Sequence, residues 1–238
     1  MEVHHHPQVE KKSFKEYLLE GLMIFLAVSM GFIAENIREN LVEHETEKRT
    51  MELVVENLKE DTTALEKSIK WNIKKVDIID SILLFRNSDL GDSNTAKKFM
   101  PLFGSVMTVV WFQSNNSGFE QMKSSGTIRI VKQKRVLDSL YKYKELNRRI
   151  EFNGDIDNEL ILSKIEGITG SFFVYGKGKN GKVIKSELKA GLLNRLFNYY
   201  YFVNKNLTWI YIPELYEQKQ KAINLIKLLQ KEYHLKDE

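Results

Sequence analysis

A chain of 238 residues has the length of one ordinary domain, or of a smaller domain with an extension. Its 42% hydrophobic and 29% charged residues supply a sizeable core and exclude disorder by composition, while only 3 prolines and 13 glycines disfavour an all-β sandwich with frequent turns. Zero cysteines exclude disulfides, zinc–thiolate sites, iron–sulfur clusters and a cysteine nucleophile, and a net charge of +4, from 36 basic and 32 acidic residues, is too mild to imply nucleic acid.

The chain opens on a short tail, residues 1–16, whose His4, His5 and His6 are assigned no ligand. Tyr17 to Ala34 follows as eighteen residues in which Glu20 is the only charge. At about 1.5 Å per residue this run covers roughly 27 Å, just short of the ~30 Å hydrocarbon core of a bilayer. Leu22, Met23, Ile24, Phe25, Leu26, Val28, Phe32 and Ile33 point all round such a helix, so no polar stripe lets it lie flat on a membrane. Glu20 sits one turn inside the end, within reach of headgroups, and Phe14 and Tyr17 suit the same interface. The core helix of a soluble protein shows the same run, and so does a signal peptide. Ala27-Val28-Ser29 offers small residues for cleavage, but Met30 to Ala34 continues apolar. The reading adopted is a single transmembrane helix over 17–34, with a cytoplasmic tail, 1–16, and an extramembrane domain, 35–238. Lys11, Lys12 and Lys15 crowd the start of the span, and Arg38, Lys48 and Arg49 follow it within fifteen residues, so the count ties; the distance of Lys48 and Arg49 from Ala34 tips the balance toward a periplasmic C-terminal domain. Ala27, Gly31 and Ala34 give the span a small-residue face suited to packing on another membrane helix.

From Glu35 to Leu83 the apolar residues Ile37, Leu41, Met51, Val54, Val55, Leu58, Leu65, Ile69, Ile73, Val76, Ile79 and Leu83 fall three or four apart. The pattern predicts one long helix or two, with a charged outer face. Asn87 to Thr95 reads as a loop, with Thr95 capping a short helix. The run Val106 to Phe112 has strand-like composition but no partner strand and is left irregular. Ser117 and Glu120 have capping-box spacing for a short helix that Gly126 ends in a left-handed conformation. The segment NNSGFEQMKSSG resembles a nucleophile loop in composition, yet caps and turns account for its Ser, Asn and Gly. Val131 to Ile168 returns to a helical beat, with Gly154 as a break point. Nine basic residues between Lys123 and Arg149, against Asp138 and Glu145, form a stripe that can meet phosphate or simply face water.

Gly176, Gly178 and Gly181 spell a dinucleotide fingerprint, but no helix opens within it and no carboxylate stands in Tyr199 to Phe202, where the ribose partner belongs. Asn180-Gly181 between FFVY and KVIK is a hairpin turn signal instead. Beyond it, Leu192, Leu193, Leu196, Phe197, Tyr200 and Val203 make one apolar face, and Leu215, Ile223, Ile226, Leu229 and Tyr233 another after Pro213, which starts or kinks a helix. Phe197, Tyr200, Trp209 and Tyr211 are the candidate ligand pocket, where aromatic faces can stack a sugar or base; the competing reading is plain core. His44 and His234 lack partners at metal spacing.

The His-rich tail, KEYLLEGLMIFLAVSMGFIAENIRE and SGFEQMKSSGTIRIV together resemble a family of single-pass membrane proteins from Bacteroidota catalogued as a domain of unknown function. The resemblance covers roughly half the chain by motif. It implies a bacterial membrane-anchored protein and supplies no activity, cofactor or catalytic residue. The expected fold is mainly α: a transmembrane helix, a long helix and an antiparallel helical bundle, with space for one small β-hairpin. The expected function is a non-catalytic interaction or structural role in the cell envelope, at the inner membrane. The expected partners are the bilayer and another protein or a second copy, with neither nucleic acid nor cofactor. A ligand-binding or sensory bundle working through a partner protein is the alternative, and an enzyme comes third.

Overall fold

The structure, a computed structural model, describes residues 13–90, 92–106, 110–172 and 190–236, with the side chains of 155–172 and 190–192 left aside. Every regular element among the described residues is helical: α1 (Phe14–Leu83), α2 (Ser93–Val106), α3 (Ser117–Ser124), α4 (Lys134–Phe172), α5 (Ala190–Asn206) and α6 (Ile212–Tyr233). Two 3-10 turns, Leu84–Asn87 and Thr127–Arg129, and a π-helical turn, Leu207–Tyr211, link them. The expected hairpin at Asn180-Gly181 and the Gly176 to Gly181 motif lie outside the described residues, as does the His4 to His6 tail. The chain divides into two units between Arg49 and Thr50.

In the first unit α1 starts at Ser13, whose N–H donates to Glu16 Oε2 at 2.8 Å while the Glu16 N–H bonds back to the Ser13 carbonyl at 3.0 Å. That reciprocal bond closes the helix N-terminus. Beyond it the large apolar side chains stand exposed: Leu22, Ile24, Phe25 and Phe32 expose 50%, 65%, 66% and 73%. Past the apolar run, Glu35 pairs with Arg38 and Glu45 with Arg49 on exposed surface, where such pairs contribute little.

The second unit is a bundle whose order follows from a few bonds. Asp80 accepts from Asn204 at 2.8 Å, Asn198 accepts from Arg86 at 2.7 Å, and Glu66 meets Lys219 at 3.4 Å, which sets α5 and α6 antiparallel to α1. Arg149 meets Glu214 at 2.8 Å and Gln218 donates to the Tyr143 carbonyl at 3.0 Å, so α6 also runs antiparallel to α4. Two apolar clusters fill the bundle. One gathers Leu65, Ile69, Ile79, Phe99, Phe103, Phe112, Ile150, Phe197 and Tyr211; the other gathers Met51, Val54, Leu58, Met122, Val136, Leu140, Leu225 and Leu229.

Several local expectations need correction. α4 runs through Gly154 without a break: a single glycine inside a long helix costs about 1 kcal/mol against alanine and does not end it, and an added Cβ there would meet the Trp111 ring at an ordinary 3.4 Å. Thr95 is not the cap of α2. Asp92 Oδ2 accepts from the Thr95 N–H and hydroxyl, each at 2.9 Å, and takes that role. Gly126 does adopt the left-handed conformation, at φ 78°. Pro213 sits in the first turn of α6, directly after the π turn; a proline has no N–H to give and crowds the preceding carbonyl, and the widened turn lets the chain continue helically through it.

Candidate functional site

Between the two apolar clusters lies a buried polar layer built by α1, the segment 110–116, α3, α4 and α6. Asp61 of α1, 2% exposed, is its centre. Its Oδ2 accepts from the Ser114 hydroxyl at 2.6 Å and the Tyr143 hydroxyl at 2.7 Å, and its Oδ1 accepts from the Asn115 N–H at 2.7 Å. One turn earlier Asn57 Oδ1 accepts from the Gly118 N–H at 2.7 Å and the Ser117 hydroxyl at 3.0 Å. Asn147 donates to Ser114 Oγ at 2.7 Å and accepts from Gln218 Nε2 at 2.5 Å. Glu151 accepts from the Ser114 N–H at 3.0 Å, and Lys144 donates to Asn116 Oδ1.

This layer overturns the capping box expected at Ser117 and Glu120. The N-cap residue of α3 is Asn116, without a side-chain cap bond, and Ser117 donates its hydroxyl to Asn57 instead. The acceptor that satisfies the first turn of α3 thus comes from α1. Two residues spaced i, i+4 on α1, Asn57 and Asp61, hold four donors of one loop and helix start, and Asp61 holds a fifth from Tyr143 of α4, so the polar segment NNSG is a docking strip. Sequence reasoning missed this role; the signal was two short polar side chains, four apart, inside an otherwise apolar stripe.

Burial pushes the Asp61 carboxyl above its ordinary value, against the pull of its bonds from Ser114, Asn115 and Tyr143 and the Lys144 charge. Burial, then the Asp61 charge, likewise raises the Tyr143 hydroxyl, and burial lowers Lys144. The Ser114 hydroxyl donates to Asp61 Oδ2 at 2.6 Å, with Asn116 Oδ1 also in reach at 3.1 Å. A recess of about 20 Å³, lined by Asn57, Asp61, Asn116, Phe119, Tyr143 and Lys144, has space for a water or two.

The four aromatic residues of the expected pocket do not line that recess. Phe197, Tyr200 and Tyr211 are 1%, 2% and 1% exposed, packed edge-on against Phe99, Phe103 and Trp111 respectively, whereas Trp209 is 72% exposed. The Tyr211 hydroxyl accepts from the Phe112 N–H at 3.2 Å. The Tyr200 hydroxyl is buried with no hydrogen-bond partner among the described residues. Among the described residues no group of three His, Asp or Glu side chains is placed to hold a metal.

In the first unit one helix near the N-terminus is long and apolar enough to cross a membrane; its best eighteen-residue window has a mean hydropathy of 1.9 and no buried share. Ala27, Gly31 and Ala34 are exposed on one face of it, and nothing stands within 4 Å of a Cβ built on Gly31. Compared with known proteins, the chain matches no family model, no curated protein and no solved structure.

Proposed function

We propose that the chain is a membrane-anchored, non-catalytic interaction or structural protein of the bacterial cell envelope. It crosses the inner membrane once, through residues 17–34, and holds its C-terminal domain in the periplasm. The observation that carries this reading is the apolar stretch of α1, whose large side chains stand exposed along the whole run. Exposing so much contiguous apolar surface to water opposes the hydrophobic effect, and a bilayer removes the penalty. The bacterial setting rests on the family resemblance, and the orientation on the lysines ahead of the span.

The non-catalytic part draws support from how the polar residues are used. Asp61, Ser114, Tyr143 and Asn147 satisfy one another across three elements, which is the work of holding a bundle together. A ligand-binding bundle draws less support, since three of its four candidate residues are core. Partner contact is assigned to Ala27, Gly31 and Ala34, where small side chains let a second membrane helix approach.

The chain has no cysteine, so single-cysteine variants at these three positions give clean cross-linking in native membranes. The proposal expects one defined product, with a partner or a second copy, from Ala27→Cys, Gly31→Cys and Ala34→Cys, and none from Val28→Cys or Phe32→Cys. Equal yields all round the helix would remove the partner role. A C-terminal reporter active only in the cytoplasm would reverse the orientation.

A further inference from the structure

The rim of the recess beside Asp61 brings an amine, an amide carbonyl and a chain of hydroxyl and carboxyl groups together. Lys144 of α4 donates from Nζ to Oδ1 of Asn116, the residue just before α3, and that same oxygen lies 3.1 Å from Ser114 Oγ. Ser114 Oγ stands 2.6 Å from Asp61 Oδ2 and accepts from Asn147 Nδ2 at 2.7 Å. Lys144 and Asn116 are half-buried, and the Phe119 ring backs the amine, with its centroid 5.0 Å from Nζ. A hydrogen bond that only tethers α3 to α4 needs the ammonium and the amide oxygen. Here the oxygen has a second donor within reach, and that donor is joined to a buried acid.

These are the parts that acyl transfer from an amide to an amine requires. An amine in contact with a carbonyl oxygen stands at most about 1.2 Å further from the carbonyl carbon, close to the ~3–3.5 Å of a near-attack arrangement. Attack needs the neutral amine. Burial lowers Lys144, with Lys123 adding to the effect and the charges of Glu120, Glu151 and Asp61 opposing it. Burial also raises Asp61, which extends its protonated form to higher pH. A protonated Asp61 donates to Ser114 Oγ, whose two lone pairs then take Asp61 and Asn147. The Ser114 proton is thereby free to turn to Asn116 Oδ1, where the negative charge of a tetrahedral intermediate gathers.

We propose that Lys144 and Asn116 join in an intramolecular isopeptide bond, made once by the folded chain on itself. The Nζ lone pair forms a bond to Asn116 Cγ while the carbonyl π pair moves to Oδ1, which takes the Ser114 proton as Ser114 takes that of Asp61. On collapse the Cγ–Nδ2 bond breaks, Nδ2 leaves as ammonia with one proton from Nζ, and the Oδ1 proton returns through Ser114 to Asp61. One amine and one primary amide thus give one secondary amide and one ammonia, with no change of oxidation state and no co-reactant. The product ties the start of α3 to α4 covalently, 28 positions apart in sequence. The bond involves the bundle alone and stands whether or not residues 17–34 lie in lipid.

The test is the intact mass of the full-length protein, denatured after purification and again after a week at room temperature, followed by tryptic mapping. A chain lighter than its sequence mass by one ammonia, about 17 Da, is expected. Trypsin is expected to leave Lys144 uncut and to release a branched peptide joining residues 99–123 to 143–148. Lys144→Arg and Asn116→Ala are expected to show the full sequence mass, while Lys142→Arg, an exposed neighbour, keeps the deficit. Ser114→Ala, checked by circular dichroism to remain helical, is expected to form the bond at least about tenfold more slowly. A parent chain still at full sequence mass after the week would overturn the proposal. So would a loss of ammonia without the branched peptide, as a cyclised asparagine gives, a loss of water that places the bond on Asp61, or an unchanged rate in folded Ser114→Ala.

Discussion

Gly118→Ala tests how closely α3 is drawn onto α1. A Cβ at this position would stand 2.9 Å from Asn57 Oδ1, 3.0 Å from Val54 Cγ2 and 3.2 Å from the Val54 backbone nitrogen, where ordinary contacts begin at 3.4 Å. The Asn57 oxygen is pinned by its bonds from Gly118 and Ser117, and the Val54 nitrogen belongs to helix backbone, so neither yields freely. α3 must lift by roughly 0.5 Å, which overpacks a buried contact at a cost of about 1–3 kcal/mol and weakens the Gly118 bond by about 1 kcal/mol more. Against this stands a gain of up to ~1 kcal/mol from better helix propensity. The net expectation is a loss of about 2 kcal/mol, or about 4–8 °C in melting temperature for a domain of this size. The assay is thermal unfolding of the full-length protein in detergent followed by tryptophan fluorescence, since Trp71, Trp111 and Trp209 all belong to the bundle. Gly104→Ala is the matched control: nothing stands within 4 Å of its Cβ inside α2, so propensity acts alone and raises stability by about 0.5–1 kcal/mol. If Gly118→Ala stabilised the protein as Gly104→Ala does, the close approach of α3 to α1 would be refuted.

Two tyrosines give opposite expectations for the same substitution. Tyr143→Phe removes a 2.7 Å bond to a buried carboxylate and costs about 1.5–3 kcal/mol, whereas Tyr200→Phe removes a buried hydroxyl with no partner and leaves the melting temperature equal or higher; equal losses in denaturant titrations would contradict the polar layer as described. Because burial raises the folded pKa of Asp61 above its unfolded value, the protonated form contributes stability that is complete below the ordinary pKa of 3.8 and lost as pH rises through the raised folded value. The stability of the parent relative to Asp61→Asn is therefore expected to fall as pH rises through that range, and a difference that grows with pH would show the opposite shift. Phe25→Arg places a charge mid-span at about 2.5–3.5 kcal/mol and is expected to lower the inserted fraction in a microsome insertion assay, which a peripheral segment would not do.

How far the sequence discloses this structure depends on the range of the interactions involved. From Ile37 to Leu83 α1 is legible because its apolar spacing holds and no proline or glycine interrupts that stretch. The apolar run 17–34 is legible for a simpler reason: length and composition define it without reference to any neighbour. The Ser13 to Glu16 cap is spelled in four residues, the same spacing as Ser117 to Glu120, where no cap forms. The cap of α3 could not be read locally, because its acceptor, Asn57, lies 61 residues away from the Gly118 N–H. Gly154 shows another limit: a glycine that breaks a helix and one that a long helix tolerates have the same letter, and only the helical run on both sides of it separates them. The aromatic residues near the C-terminus were ambiguous in kind. Phe197, Tyr200 and Tyr211 share a buried face with helical spacing, while Trp209, off that face by the same spacing, is 72% exposed.

Alkaline carbonate extraction of membranes containing the full-length chain bears most directly on the anchor. Residues 17–34 in lipid predict that the protein stays in the membrane pellet at pH 11 and leaves it only with detergent. Release into the supernatant, with the apolar stretch intact, would contradict the reading that a bilayer covers it.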